Sequence, residues 1–274
     1  MAVPAESGAG LPQEIGQGGD AVTPVEHGPL SGSSSPAAKP AIKECEPGEH
    51  VQEQAYYLDT CARFDRAEVA SEYRARKNVS TARNRREWQC IEKALATIPS
   101  GAAVLDLPCG SGRLEPLLEK RGYRVTAADY SSHMVDTARA AYLEASNQPD
   151  LLEHMRFMQQ DVMQMNFADG EFDAVICNRL LHHYPTPGLR QQALRECKRV
   201  SRGIVVISYF SNLALSALRF HLKNRFKSRT PTDRVPIWFR VLEQDLDAVG
   251  LRCTGTYPVR YGLSPQTYLR LEGC

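Results

Sequence analysis

The sequence predicts a doubly wound α/β protein: a mostly parallel seven-stranded sheet closed by an antiparallel C-terminal hairpin. Three observations carry this. From Gly101 onward, short apolar runs alternate with amphipathic helical ones. The first apolar run breaks into a glycine turn just before a helix, and two strand-like runs follow the helix stop at Gly250. Strands of a parallel sheet are buried on both faces and read as near-continuous apolar runs, with helices crossing between them.

The runs come in order: AAVLDL, helical LEPLLEKR, YRVTAAD, helical SHMVDTARAAYLEA, MRFMQQD, FDAVICN, helical LRQQALRECKRV, and GIVVIS. Helix boundaries agree with the period. Ser131 stands at an N-cap position before Met134 and Val135, and Thr186 is followed by Pro187 at the first helical position. Leu242 to Val249 forms a last helix ending at Gly250, and LRCTGTY and QTYLRLE make the terminal hairpin.

Ahead of this domain, expected over 99–274, a helical cap is expected over 46–98. Trp88, Ile91 and Leu95 give it one buried face with Ser80 or Thr81 as cap, and Arg74, Arg76, Lys77, Arg83, Arg85 and Arg86 read first as a solvated face. Residues 1–45 are expected to be a disordered tail. The first forty residues are Gly-, Pro- and Ser-rich, lack aromatics, and hold Lys39 as their only Lys or Arg, a composition with too little apolar area to offset ordering entropy. With Glu6, Glu14, Asp20 and Glu26 the tail resembles neither a secretory signal nor a mitochondrial presequence, so the cytoplasm is expected. No run approaches the roughly 20 apolar residues needed to span a bilayer. The eight cysteines show neither a C-x-x-C pair nor metal-ligand spacing, which points to free thiols in a reducing compartment and to no metal site.

In open α/β sheets, ligands sit beyond the carboxyl ends of the strands. There the first run ends in Asp106 and the loop Pro108-Cys109-Gly110-Ser111-Gly112, the second in Asp129, the third in Asp161 and the fourth in Asn178. A dinucleotide does not suit this loop. The third glycine of G-x-G-x-x-G would fall at position 115, which is Glu115, and Asp106 sets an anion where a dinucleotide offers no cation. A ligand with an ammonium and a sulfonium fits that acid, and S-adenosylmethionine is one. Asp129 can accept both hydroxyls of a ribose, and Asp161 can accept an adenine amino group while the Val162 N–H reaches a ring nitrogen. Tyr130 and Asn178 complete the candidate cofactor set.

The order VLDLPCGSGR, VTAADYS, MQQDVMQM, FDAVICNRLLHHY resembles the class I S-adenosylmethionine-dependent methyltransferases, in look the branch that includes ubiquinone- and menaquinone-biosynthesis enzymes. The resemblance covers about Trp88 to Glu272. It implies a Rossmann-like methyltransferase fold in which Asp106 holds the methionine amino group, Asp129 the ribose and Asp161 the adenine, with Gly110 and Gly112 as backbone walls. Pro108 departs from the family, whose loop has glycine there, so the turn loses one N–H donor.

Methyl transfer from a sulfonium is an in-line displacement that positioning and water exclusion can accelerate, so no catalytic residue is obligatory. For a phenol or alcohol acceptor a general base helps, and His182 and His183, just past the fourth strand, are the candidates, although either can instead pack or cap the next helix. Tyr209, leaving the fifth strand, is expected to shape the acceptor pocket. A basic insertion at about 211–236 carries a stripe of Leu215, Leu218, Leu222 and Phe226 beside Arg219, Lys223 and Lys227. It is read first as a lid, with a membrane-surface contact, a phosphate clamp or a core-covering helix as alternatives.

A small molecule or lipid, methylated at O, N or C, is the expected acceptor. RNA is the rival, favoured by the arginines, but a net charge of +1 gives little broad attraction to phosphate. Asn178-Arg179-Leu180-Leu181 also lacks the Asn/Asp-Pro-Pro-Tyr pattern of base aminomethyltransferases, and Cys109 lies in the cofactor loop, not where a thiolate would attack cytosine. A non-catalytic, cofactor-binding regulator is the third reading.

Overall fold

The computed structural model describes residues 47–76, 81–146, 154–224 and 234–274. The expected tail over 1–45 lies outside them, as do Lys77, Ser80, Phe226 and Lys227; the side chains of Arg76 and Lys223 are likewise not described. The cap region is built of α1 (Pro47–Phe64), α2 (Ala67–Arg76) and α3 (Ala82–Ala94). Thr81 caps α3, its hydroxyl accepting from the Asn84 N–H at 3.2 Å, and Cys90, Ile91 and Ala94 make the buried face. An ion pair from Arg74 to Glu144 links α2 to the body.

The strands are β1 (Ala103–Asp106), β2 (Arg124–Asp129), β3 (Met155–Gln159), β4 (Phe172–Cys177), β5 (Ser201–Phe210), β6 (Leu251–Pro258) and β7 (Gln266–Gly273). They form one sheet in the order β3-β2-β1-β4-β5-β7-β6. The first five are parallel, while β7 runs antiparallel between β5 and β6. The last strand of the chain is therefore interior and β6 is the edge. Burial agrees: β7 is buried almost throughout, whereas β6 alternates.

Helices α4 (Glu115–Glu119), α5 (Ser132–Ser146) and α6 (Pro187–Val200) follow β1, β2 and β4; α7 (Leu215–Asn224) and α8 (Phe239–Ala248) lie between β5 and β6. The Ser131 hydroxyl accepts from the Met134 N–H at 3.3 Å, as an N-cap should. Thr186 stands at the N-cap of α6 but its hydroxyl makes no capping bond, so Pro187 alone marks that start. A buried pair, Arg190 Nε to Asp245 Oδ2 at 2.6 Å, fastens α6 to α8. Two large apolar clusters hold most of the buried core. One is centred on Leu105, Val175, Cys177 and Ile207, the other on Val104, Ala174, Ile176 and Val206, the alternate residues of the same strands.

Candidate active site

β1 has β2 on one side and β4 on the other, so the chain changes direction around it and a crevice opens beyond the strand ends. A cavity of about 770 Å³ lies there. Its floor is the turn after β1, where the Leu107–Pro108 peptide is cis and Gly110 and Gly112 have φ of 57° and 76°. The two glycines do different work. A Cβ on Gly110 would meet nothing within 4 Å, whereas one on Gly112 would stand 2.7 Å from the Cα of Ala138 in α5. Gly110 faces the cavity; Gly112 is absent from its lining and instead lets α5 close on the turn. Of the two glycines expected as backbone walls, Gly110 lines the cavity, while Gly112 has α5 on its Cβ side.

Asp106 lines the floor, buried, with the Glu115 carboxyl as its hydrogen-bonding neighbour. Burial, with the carboxyl of Glu115 beside it, pushes Asp106 well above the usual carboxylate range. Glu115 is itself fully buried, and burial raises it to about 7 against the hydrogen bonds it makes to backbone and to Asp106. Asp129 is held differently: Oδ2 accepts from the Gly110 N–H at 2.9 Å and Oδ1 from the Ser131 N–H at 3.1 Å. Burial nevertheless raises it to about 6, the two N–H groups opposing that rise.

Pro108, Tyr130, Val162 and Asn178 also line the cavity. Asp161 does not; Gln160 and Val162 on either side of it do. Its Oδ1 accepts from the Tyr57 hydroxyl of α1 and from the Met163 N–H, so the cap uses the acid that the sequence alone offers to adenine. Asn178 Oδ1 accepts from the Tyr268 hydroxyl at 2.9 Å and the Ser208 hydroxyl at 3.3 Å.

The opposite wall is aromatic. His182 and His183 form a single 3₁₀ turn with Leu181, and both line the cavity. The His182 ring stacks on Phe210 at 4.1 Å between centroids, and His183 stands edge-on to Phe64 at 5.2 Å. Phe210, not Tyr209, supplies the β5 side chain. Alternation along the strand turns Tyr209 into the core, where it meets Phe239, and this corrects the expectation for Tyr209. Tyr57, Phe64 and Tyr73 of the cap complete the wall. The sequence reading named no cap residue in the site. The available signal was the set of aromatic rings in an otherwise charged segment.

Arg83, Arg86, Arg179, Arg234 and Arg260 line the remainder. Arg179, at φ 59°, donates to both oxygens of Glu87 at 2.5 Å. Glu87 also receives Arg113 Nη1 at 2.9 Å and Arg83 Nε at 3.0 Å, and these cations hold its carboxyl below the usual range against the burial that would raise it. Arg83 reaches Gln266 as well while its side chain stays 59% exposed, so it anchors the cap from the solvated face that the sequence predicts.

Residues 105–207 match the family described as Methyltransferase domain. A ubiquinone biosynthesis O-methyltransferase of Xanthomonas axonopodis pv. citri is 38% identical over 90 residues, 32% of this chain and 35% of that protein. The chain spans between about a third and a half of the length of the curated relatives it matches first. Among solved structures, magnesium protoporphyrin IX methyltransferase from Synechocystis with bound SAH superposes with a TM-score of 0.63 at 18% identity, over 78% of this chain and 98% of that one. The [4+2]-cyclase SpnF shares the fold at a TM-score of 0.51 and 19% identity, over 68% of this chain and 66% of that one. The fold is thus the doubly wound methyltransferase fold. The family match covers residues 105–207, and the likeness to the solved methyltransferases is one of fold.

Proposed function

We propose that this chain transfers a methyl group from S-adenosylmethionine to a small-molecule or lipid acceptor, at O, N or C, in the cytoplasm. The observation that carries the reading is Asp106: a buried carboxyl whose neighbouring side chain is another acid, Glu115, on the floor of the cavity at the end of β1. Two buried carboxyls side by side are costly to ionise, and a cationic ligand group relieves that cost. The residues fit the cofactor. Asp106 would take its ammonium, Gly110 give it backbone room, Asp129 accept its ribose hydroxyls on the lone pairs left by the two N–H groups, and Val162, Tyr130 and Asn178 line its berth. Bound there, it supplies an electrophilic methyl group on a sulfonium.

The chain's own part is then to orient the acceptor and keep water out. The rings of Phe64, Phe210, His182 and His183 offer an apolar wall for a flat or lipidic acceptor, and either histidine can take the proton of a hydroxyl acceptor. The relatives named for ubiquinone and protoporphyrin methylation support an acceptor of that kind. Seven free cysteines among the described residues, five of them buried, support a reducing compartment.

Incubating the chain with methyl-labelled cofactor and fractionated lysate tests the acceptor. Label travelling with lipids or small solutes is expected; label in RNA or protein overturns the reading. Cofactor binding without transfer to any fraction would leave a regulator instead. Calorimetry tests the cofactor assignment separately. Asp106→Asn should weaken S-adenosylhomocysteine binding at least about tenfold, the value of one charge-assisted bond. Equal affinity in a folded variant refutes the role of Asp106.

A further inference from the structure

The described residues include ten large apolar side chains that stand exposed, and seven of them share one rim: Leu213, Leu215, Leu218, Leu222, Trp238, Tyr261 and Leu263. Hydrogen bonds lace the three segments of this rim together, from Ser211 N–H to the Pro265 carbonyl, Asn212 N–H to the Ile237 carbonyl and Leu215 N–H to the Gly262 carbonyl. Arg260, Leu263 and Pro265 also line the cavity, so the rim borders its mouth.

Helix α7 is mounted with the unexpected side outward. Ala217, and Ala214 just ahead of the helix, are buried, while Leu215, Leu218 and Leu222 are 61%, 57% and 56% exposed. A leucine stripe at helical spacing normally faces a core. Here these three leucines are exposed and outside both core clusters, so they do not cover the core. Contiguous exposed apolar surface of this sort marks an interaction site.

Charge selects the occupant. Segments 211–224, 234–238 and 260–265 contain no Asp or Glu, and Arg219 and Arg260 stand exposed among the apolar side chains. We propose that this rim docks on an anionic lipid bilayer, with the leucines and Trp238 in the interfacial layer and the arginines on headgroup phosphates, so that the cavity mouth opens toward the lipid and takes its acceptor from it. A second copy of the chain is disfavoured because a two-fold contact would oppose like charges. A nucleic acid would meet the arginines but leave the leucines wet. The docking half stands on the rim alone; the acceptor half rests on the methyl-transfer reading above.

The test uses the full chain without methyl donor, co-sedimented with vesicles of phosphatidylcholine alone or of phosphatidylcholine mixed with phosphatidylglycerol. Binding to the mixed vesicles is expected. It should fall at least about tenfold in Leu215→Ser/Leu218→Ser/Leu222→Ser and several-fold in Arg219→Glu, with an unchanged melting temperature because all four side chains are exposed. No binding to the mixed vesicles, or equal binding by the variants, overturns the docking surface. So does a dimer, seen by sedimentation, that the leucine variant abolishes, or RNA binding that Arg219→Glu abolishes while vesicle binding is absent. Wild-type docking without label transfer to any extracted lipid overturns only the acceptor half.

Discussion

Asp129 receives two backbone N–H groups and still titrates near 6, because burial costs the charged form more than those bonds return. Its use as an acceptor for ribose hydroxyls requires the ionised form. A proton that must leave before the ligand binds weakens binding at low pH, so the dissociation constant should rise as pH falls through about 6, by at most about tenfold per unit for one group. Asp106 titrates in the same direction, and Glu115 beside it contributes to its rise. Glu115→Gln should therefore move the acid limb of cofactor binding to lower pH, measured by calorimetry from about pH 5 to 8; an unmoved limb would mean that the two carboxyls do not influence each other. The glycines give a second contrast. Gly112→Ala sets a Cβ against the Ala138 backbone at a left-handed φ, whereas Gly110→Ala carries only the conformational penalty, roughly 1 to 2 kcal/mol. Thermal melts should rank Gly112→Ala well below Gly110→Ala, and calorimetry should assign the loss of cofactor affinity mainly to Gly110→Ala. VLDLPCGSGR shows two glycines in one turn; it does not show that α5 returns to pack on the second.

Helix α3 illustrates what the element scale adds. Its period and its Thr81 cap were legible, and so was the face containing Ile91. Glu87 attracted no attention because an acid within a charged helix is ordinary. In the fold it is fully buried, with Arg83 from its own helix, Arg113 from the turn after β1 and Arg179 from the turn after β4. One carboxylate thus fastens the cap to two of the loops that shape the cavity. Glu87→Ala would leave Arg113 buried and Arg179 half-buried without their counter-charge, and unfolding by denaturant should show a loss of about 3 to 5 kcal/mol. A change within error of zero would mean that water replaces the carboxylate. The strand β5 makes the complementary point: GIVVISYF fixes a strand, and alternation fixes that Tyr209 and Phe210 face oppositely, but only the packing of α8 on one face decides which of them is core.

At the scale of the molecule, the described residues that build the sheet, both large apolar clusters and the cavity all follow Pro47. The first forty residues lack aromatics and are rich in Gly, Pro and Ser. We propose that they add nothing to the core, and their deletion should leave the melting temperature and the cofactor affinity unchanged within error. A large drop in either would give the tail a place on the domain. No helix among the described residues is long and apolar enough to cross a membrane.

The sequence by itself determined the strand and helix order, the turn after β1 and the acids at three strand ends, because periodicity and glycine act locally and need no partner to be read. Tertiary structure decided the rest. It gave Asp161 to Tyr57, put Asp106 beside Glu115, buried Glu87 among three arginines and turned the α7 leucines outward. These depend on which distant elements meet, and a titratable or apolar side chain takes its energy from the groups that surround it in the fold, not from its neighbours along the chain.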